Sequence, residues 1–371
     1  MPTASVIADS KPRTSVRHPI LVGSGFLALD LLFRNSAVLP TKRYAGGSFG
    51  NVMAILAFLG WKSYPVARLG TDRYARDVLN DLEDFQVETR FVRRADKGAT
   101  PLIVVRVAKS PDGTYRSRFE WRHPKSGDRL PPHRPLPRFM AEEISPDLPK
   151  AKVFYFDRAE PGSLLLATKM RERGALVFFE PSSCREDRLF TACMAISDIV
   201  KYSAQRIEHP PQNPDDPSPR LEIQTLGASG LRFRLKQNSD RPGPWRQLDG
   251  FAVENLKDST GCGDWCSAGF LHKMGQQGRK GFLNLTDAQI AAGLMFGQAL
   301  SAVNCQYEGA RGPMYSLPRT ALLTAAQAFL AHDHLKAAPS ASAARLGTGN
   351  RSANSVGTQE ASEKRPQLFT H

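Results

Sequence analysis

Between Ile20 and Leu226 the chain alternates short apolar runs with stretches of helical periodicity, a rhythm that constrains it to parallel strands joined by crossover helices. Ile20 to Gly25, Tyr64 to Leu69, Val153 to Phe156, Leu176 to Phe179, Asp198 to Tyr202 and Leu221 to Leu226 have strand length. Asn51 to Leu59, Tyr74 to Leu82 and Ser163 to Arg173 carry the helical pattern between them. Strands this apolar must be covered on both faces, so the expected fold class is α/β: one doubly wound domain with a mostly parallel central sheet flanked by helices. Two stretches break the rhythm. Leu32 to Tyr44 and Thr100 to Trp121 read as extended segments, the second with the turn residues Pro111, Asp112 and Gly113, and predict a small accessory sheet. Helical patterns at Cys262 to Met274, Asp287 to Val303 and Pro318 to His332 close the domain.

Residues 1–18 and about 336–371 are polar and without period, so disordered tails are expected on either side of a domain at 19–335. The net charge of +14 suits an anionic ligand or a nucleic acid. It is concentrated between Arg90 and Arg138 and from Lys336 onward, with no aromatic-interleaved RNA motif, zinc knuckle or recognition helix beside it. Solvated surface is therefore the preferred reading, and a nucleic-acid partner is not expected. The five cysteines form no paired spacing and their odd count fits a reducing compartment, with thiols rather than disulfides. The longest apolar stretches, such as Val52 to Leu59 and Ala291 to Ala302, fall well short of the roughly 20 residues a membrane span needs. No apolar signal core precedes Ile20, so a cytoplasmic location is expected.

The sharpest local signal is Asp258-Ser259-Thr260-Gly261-Cys262-Gly263-Asp264, followed at once by a helical run. Glycines let backbone amides converge on one point, and a helix N-terminus adds about half a positive charge there, so an anion belongs at that loop. Asp264, in the first turn, is placed to take a proton from a hydroxyl attacking that anion, or else it only complements the helix dipole. A Walker loop is excluded, because no Gly-Lys-Ser/Thr follows. A second cluster, Gly46-Gly47-Ser48-Phe49-Gly50-Asn51, opens the apolar helix to Leu59. Here Asn51 offers a donor and an acceptor to a hydroxylated ligand, or caps the helix. Asp30, five residues beyond Gly25, could accept bonds from two adjacent hydroxyls, or be a surface residue.

Together these residues resemble the ribokinase-like (PfkB) carbohydrate kinases, whose signatures are a Gly-Gly-x-x-x-Asn helix opening and an Asp-Thr-x-Gly-Ala-Gly-Asp loop. The resemblance runs from about Ile20 to Leu330. It implies an ATP- and Mg2+-dependent phosphotransferase acting on a hydroxyl of a sugar, sugar acid or nucleoside. Asp264 would be the catalytic base and Gly261, Cys262 and Gly263 the anion hole. Asp30, Gly46, Gly47, Asn51 and Arg158 would hold the acceptor, and Thr225, Gly227, Gly230, Thr260, Asn304 and Gly309 the nucleotide. The two extended segments, about 32–45 and 98–122, would form a lid that excludes water. Family lid sheets often pair between subunits, which makes a homodimer possible.

The sequence also departs from the family. Where an Asn-x-x-Glu usually organises magnesium and phosphate, it reads Ser203-Ala204-Gln205-Arg206. Arg206 would then act as a cationic clamp, or Glu208 would substitute. A member that binds ligand without turnover is the alternative reading, and a nucleic-acid binder ranks below it. Gly70-Thr71-Asp72-Arg73-Tyr74-Ala75 replaces a Gly-Asp-Asp-x-x-Gly, and Ser48 stands at a ribokinase lysine, which disfavours ribose. Arg106, Arg116, Arg118 and Arg122 tilt the lid toward an anionic acceptor unless they only face solvent. Cys262 replaces the usual alanine, as a small buried residue or as a redox-sensitive thiol.

Overall fold

The computed structural model describes residues 18–337, apart from 35–36, 38, 96–97, 110–114, 185–187, 209, 211–218 and 237–241. The tail expectations and the turn at Pro111 to Gly113 lie outside the described residues, as does the side chain of Arg116.

In chain order the first third contains β1 (Ile20–Ser24), β2 (Ala28–Arg34), β3 (Lys42–Gly46), α1 (Ser48–Phe58), β4 (Lys62–Leu69), α2 (Arg73–Asp84), β5 (Val92–Arg94), β6 (Leu102–Lys109) and β7 (Tyr115–Glu120). The middle holds α3 (Arg138–Ile144), β8 (Val153–Phe156), α4 (Pro161–Glu172), β9 (Leu176–Phe179), α5 (Arg188–Ile196), β10 (Ile199–Ser203), β11 (Leu221–Thr225), β12 (Leu231–Leu235) and β13 (Arg246–Leu248). Four helices finish the described chain: α6 (Cys262–Met274), α7 (Gly278–Leu283), α8 (Asp287–Asn304) and α9 (Arg319–Ala337). The nine-stranded sheet runs β13-β12-β11-β10-β9-β8-β1-β4-β5, parallel except for the β12 and β13 edge. That antiparallel edge was not read from the sequence.

Strand periodicity builds two cores. Along β8 and β9, Phe154, Phe156, Val177 and Phe179 point to the face covered by α3, α4 and α5. Val153, Tyr155, Leu176 and Phe178 point to the other face, which is covered by α1, α6, α8 and α9. Helices α6 and α8 approach closely because both are notched: a Cβ on Gly297 would lie 2.4 Å from the Cys266 carbonyl oxygen. This contact brings the start of α6 beside the end of α8.

The smaller sheet has the order β3-β2-β6-β7 and matches the expected accessory sheet, with one correction. It begins at Ala28 rather than near Leu32, so Asp30 sits inside β2, facing Tyr44 on β3 and Ile103 on β6. Asp30 is only 8% exposed, which removes the surface alternative.

The strand order reverses direction at β1, which has β4 on one side and β8 on the other. At such a switch the connections leave to opposite faces and open a crevice at the strands' carboxyl ends. Gly25, Asp157, Glu180, Ser203 and Thr225 all fall at or just past those ends.

Candidate active site

Asp258 shapes the loop before α6. Its Oδ1 accepts the Thr260 amide at 2.9 Å and the Ser117 hydroxyl from β7 at 2.5 Å, and its Oδ2 accepts the Gly309 amide at 2.9 Å. Gly261 then enters the helix with φ 79°, where a Cβ would lie 2.3 Å from the Ala310 carbonyl oxygen. Only glycine fits both demands. The Cys262 amide turns back to the Ser259 carbonyl at 3.3 Å. The amides of Gly263 and Asp264, in the first turn, have no intrahelical acceptor by helix geometry. Asn304 braces the loop through its amide group, which donates to the Thr260 carbonyl at 2.8 Å.

Asp264 is buried, and Asn51 Nδ2 donates to its Oδ2 at 2.7 Å, joining motifs 213 residues apart. This contact corrects the capping alternative: α1 is capped at Gly47, and Asn51 projects across to α6. Burial, and then the nearby Glu180, push the Asp264 carboxyl well above the usual range, against the Asn51 bond and the charges of Lys201 and Arg206.

Glu180 and Lys201 were not anticipated. Lys201 is a buried lysine within the apolar β10, ion-paired with Glu180 and donating to the Gly263 carbonyl at 3.1 Å. Glu180 also accepts the Tyr155 hydroxyl at 3.0 Å and the Ser267 hydroxyl at 2.5 Å. Glu180, just past the end of β9, thus sets a carboxylate near Asp264 that is ion-paired with Lys201. A lone lysine in Ile199-Val200-Lys201-Tyr202 was the available signal.

A cleft partly open to solvent lies below the small sheet, lined among others by Asp30, Asn51, Thr260, Gly309 and Arg311. Four buried polar atoms of its lining lack hydrogen-bond partners: Asp30 Oδ1, Asn51 Oδ1, Thr260 Oγ1 and Arg311 Nη1. Such groups cost free energy unless something else satisfies them, so the set marks a place for a polar ligand. Arg311, also unanticipated, is 2% exposed and fixed by the Ala45 carbonyl and Asp81, each at 2.5 Å. Burial pushes Asp30 up to about 7 despite the opposing Arg311. Gly46 clears the space beside it, since a Cβ there would lie 2.1 Å from the Asp30 carboxyl carbon.

The other expected residues divide. Arg158 is already engaged, 3.1 Å from Asp157 and stacked 4.9 Å from the Phe26 ring centre. Asp157 itself accepts the amides of Phe26 and Phe49, tying the β1 exit to α1. Arg106 is paired with Glu120 at 3.0 Å, and Arg122 donates to the Gly127 carbonyl. Thr225 ends β11 with its carbonyl accepting from Ala204, and Gly227 and Gly230 form the next turn with φ 64° and 91°. Arg206 is among the charges acting on Asp264.

No family model matches the chain. A probable chloroplastic fructokinase-6 from Arabidopsis thaliana is 24% identical over 339 residues, covering 82% of each chain. Among solved structures, a fructokinase with bound ATP from Xylella fastidiosa superposes with a TM-score of 0.62 at 18% identity, covering 83% of this chain and 98% of that one. An Arabidopsis thaliana ribokinase complexed with ribose and ATP gives 0.58 at 18% identity, covering 84% and 99%. These likenesses show a ribokinase-like fold. The large, mostly parallel sheet flanked by helices and the smaller separate sheet are consistent with that fold's body and lid. Among the described residues no helix is long and apolar enough to cross a membrane.

Proposed function

We propose that this kinase moves the γ-phosphate of ATP onto a hydroxyl of a neutral sugar or nucleoside, with Asp264 as base and the loop from Gly261 to Asp264 as the anion hole. The carrying observation is the Asn51 to Asp264 hydrogen bond, which sets both glycine motifs at one cleft rimmed by unpartnered polar atoms. Three of those atoms are oxygens and one is an N–H group, so a fitting ligand brings more O–H donors than acceptors. With Arg106 and Arg158 already paired to carboxylates, a neutral polyol fits better than the anionic acceptor first expected.

In the transfer, Asp264 accepts the acceptor's hydroxyl proton while the hydroxyl oxygen bonds to the γ-phosphorus. The bond from that phosphorus to the bridging β-oxygen breaks, and ADP leaves. The Gly263 and Asp264 amides meet the charge on the moving phosphoryl group, and Arg206 adds a cation from the β10 exit. Lys201 and Glu180 hold the floor beneath Gly263. Among the described residues no group of three His, Cys, Asp or Glu side chains could hold a metal ion. Magnesium would arrive on the nucleotide phosphates rather than at a site of the chain's own.

A binding protein without turnover is the second reading, favoured by Arg206 standing where the family carries glutamate. ADP release with ATP and magnesium, across sugars, sugar acids, sugar phosphates and nucleosides, separates the two. Asp264→Asn should lower kcat by about 10²–10⁴-fold with acceptor binding retained. Unchanged turnover in that variant removes Asp264 from the chemistry, and binding without any turnover in the wild type favours the second reading.

A further inference from the structure

The end of α8 lies against the start of α6, and each contributes a cysteine. Cys262 Sγ and Cys305 Sγ are 3.0 Å apart although 43 residues separate them in sequence. A disulfide is about 2.05 Å long, so a bond requires the sulfurs to close by only about 1 Å. Their backbones are already held in place. The Cys305 carbonyl accepts the amides of Lys257 and Asp258 at 2.7 and 3.2 Å, and the Ser301 hydroxyl donates to the Cys262 carbonyl at 2.6 Å. Cys262 and Cys305 are half-buried residues, whereas Cys193 and Cys266 are buried. None of the five cysteines is in a disulfide.

We propose that Cys262 and Cys305 form a dithiol modification site that takes a peroxide-class oxidant and closes to a reversible disulfide, disabling the anion loop. The functional consequence rests on the phosphotransfer reading; the chemistry of the pair does not.

The two thiols are unequal. The bond from Cys262 lowers the Cys305 thiol, and the same bond, with burial, raises Cys262, so Cys305 is the sulfur that ionises first. The Cys305 thiolate attacks one peroxide oxygen, giving a sulfenic acid, and the O–O bond breaks to release the other oxygen as water. The Cys262 sulfur then displaces the sulfenic hydroxyl as a second water, so two thiols and one hydrogen peroxide become one disulfide and two waters. A dithiol reductant reverses the bond by exchange. Because Cys262 begins α6, drawing its sulfur toward α8 twists the segment whose next two amides face the anion.

Peptide mapping by mass spectrometry after hydrogen peroxide should find a Cys262–Cys305 cross-linked pair in the wild type and none in Cys305→Ser. Acceptor-stimulated ADP release should fall by about a hundredfold on oxidation, as on losing one anion-hole donor, and return with dithiothreitol. The Cys305→Ser protein should keep its turnover in both states. A cross-link elsewhere, or none at an oxidant level that modifies other cysteines, overturns the proposal whether or not any acceptor is phosphorylated. A Cys262–Cys305 bond that leaves turnover unchanged overturns the loop-disabling step. The cross-link in a protein whose reduced form turns nothing over supports the dithiol site and counts against the kinase reading alone.

Discussion

Replacing Asp30 with asparagine tests whether the acceptor site is built at a cost to the fold. The Asp30 carboxyl is raised from 3.8 to about 7, chiefly by burial and against the pull of Arg311. Below pH 3.8 it is protonated in both folded and unfolded chains and makes no difference between them. As pH rises from there, the unfolded chain ionises first, and the stability held by the protonated form is lost progressively through about pH 7. A shift of about three units at about 1.4 kcal/mol each amounts to about 4 kcal/mol, fully felt above pH 7. Asparagine keeps the shape and cannot ionise. Urea denaturation of both proteins without ligand, from pH 4 to 8.5, should show near-equal stability at the acid end and a variant more stable by about 4 kcal/mol at the alkaline end. A difference that stays constant with pH would refute the argument that Asp30 is desolvated and unpaid for. In the wild type, a neutral acceptor whose hydroxyl donates to ionised Asp30 should bind more tightly as pH rises through 7, and the variant should lose that dependence.

Glu180→Gln removes the negative neighbour that, after burial, most raises Asp264, and leaves Lys201 unopposed beside it. As the proposed base, Asp264 must be ionised to act, so the acid limb of the kcat/KM profile should move to lower pH; an unmoved limb would separate Glu180 from the base. Gly261→Ala must adopt φ 79° with its Cβ 2.3 Å from the Ala310 oxygen, so it should cost more than about 2 kcal/mol and most of the turnover. Gly127→Ala is the control, with φ 75° and nothing within 4 Å of the added carbon, and should cost only about 1 kcal/mol with activity intact.

The two glycine motifs were legible because their chemistry is local. A helix start that must bend amides toward an anion needs glycine wherever it occurs, and Asp264 and Asn51 stood at fixed offsets from those turns. Arg158 was legible in position, just past β8, but its engagement with Asp157 and Phe26 depends on the β1 exit folding beneath it. Glu180 was hidden for a similar reason. It follows an ordinary apolar strand, and only the parallel order of β9 and β10 sets it against Lys201.

From the sequence alone came the α/β alternation, the extra extended segments and the loop that opens α6, since each follows from apolar period or backbone freedom within about twenty residues. Tertiary structure alone decided what meets at the cleft: Asp30 raised by burial, Arg311 carried back from beyond α8 to Asp81, Asn51 bonded to Asp264, and Cys262 facing Cys305. Pairings across 43 to 230 residues leave no mark on local composition. They exist because burying both faces of one twisted sheet permits few ways to bring its strand ends and helix ends together.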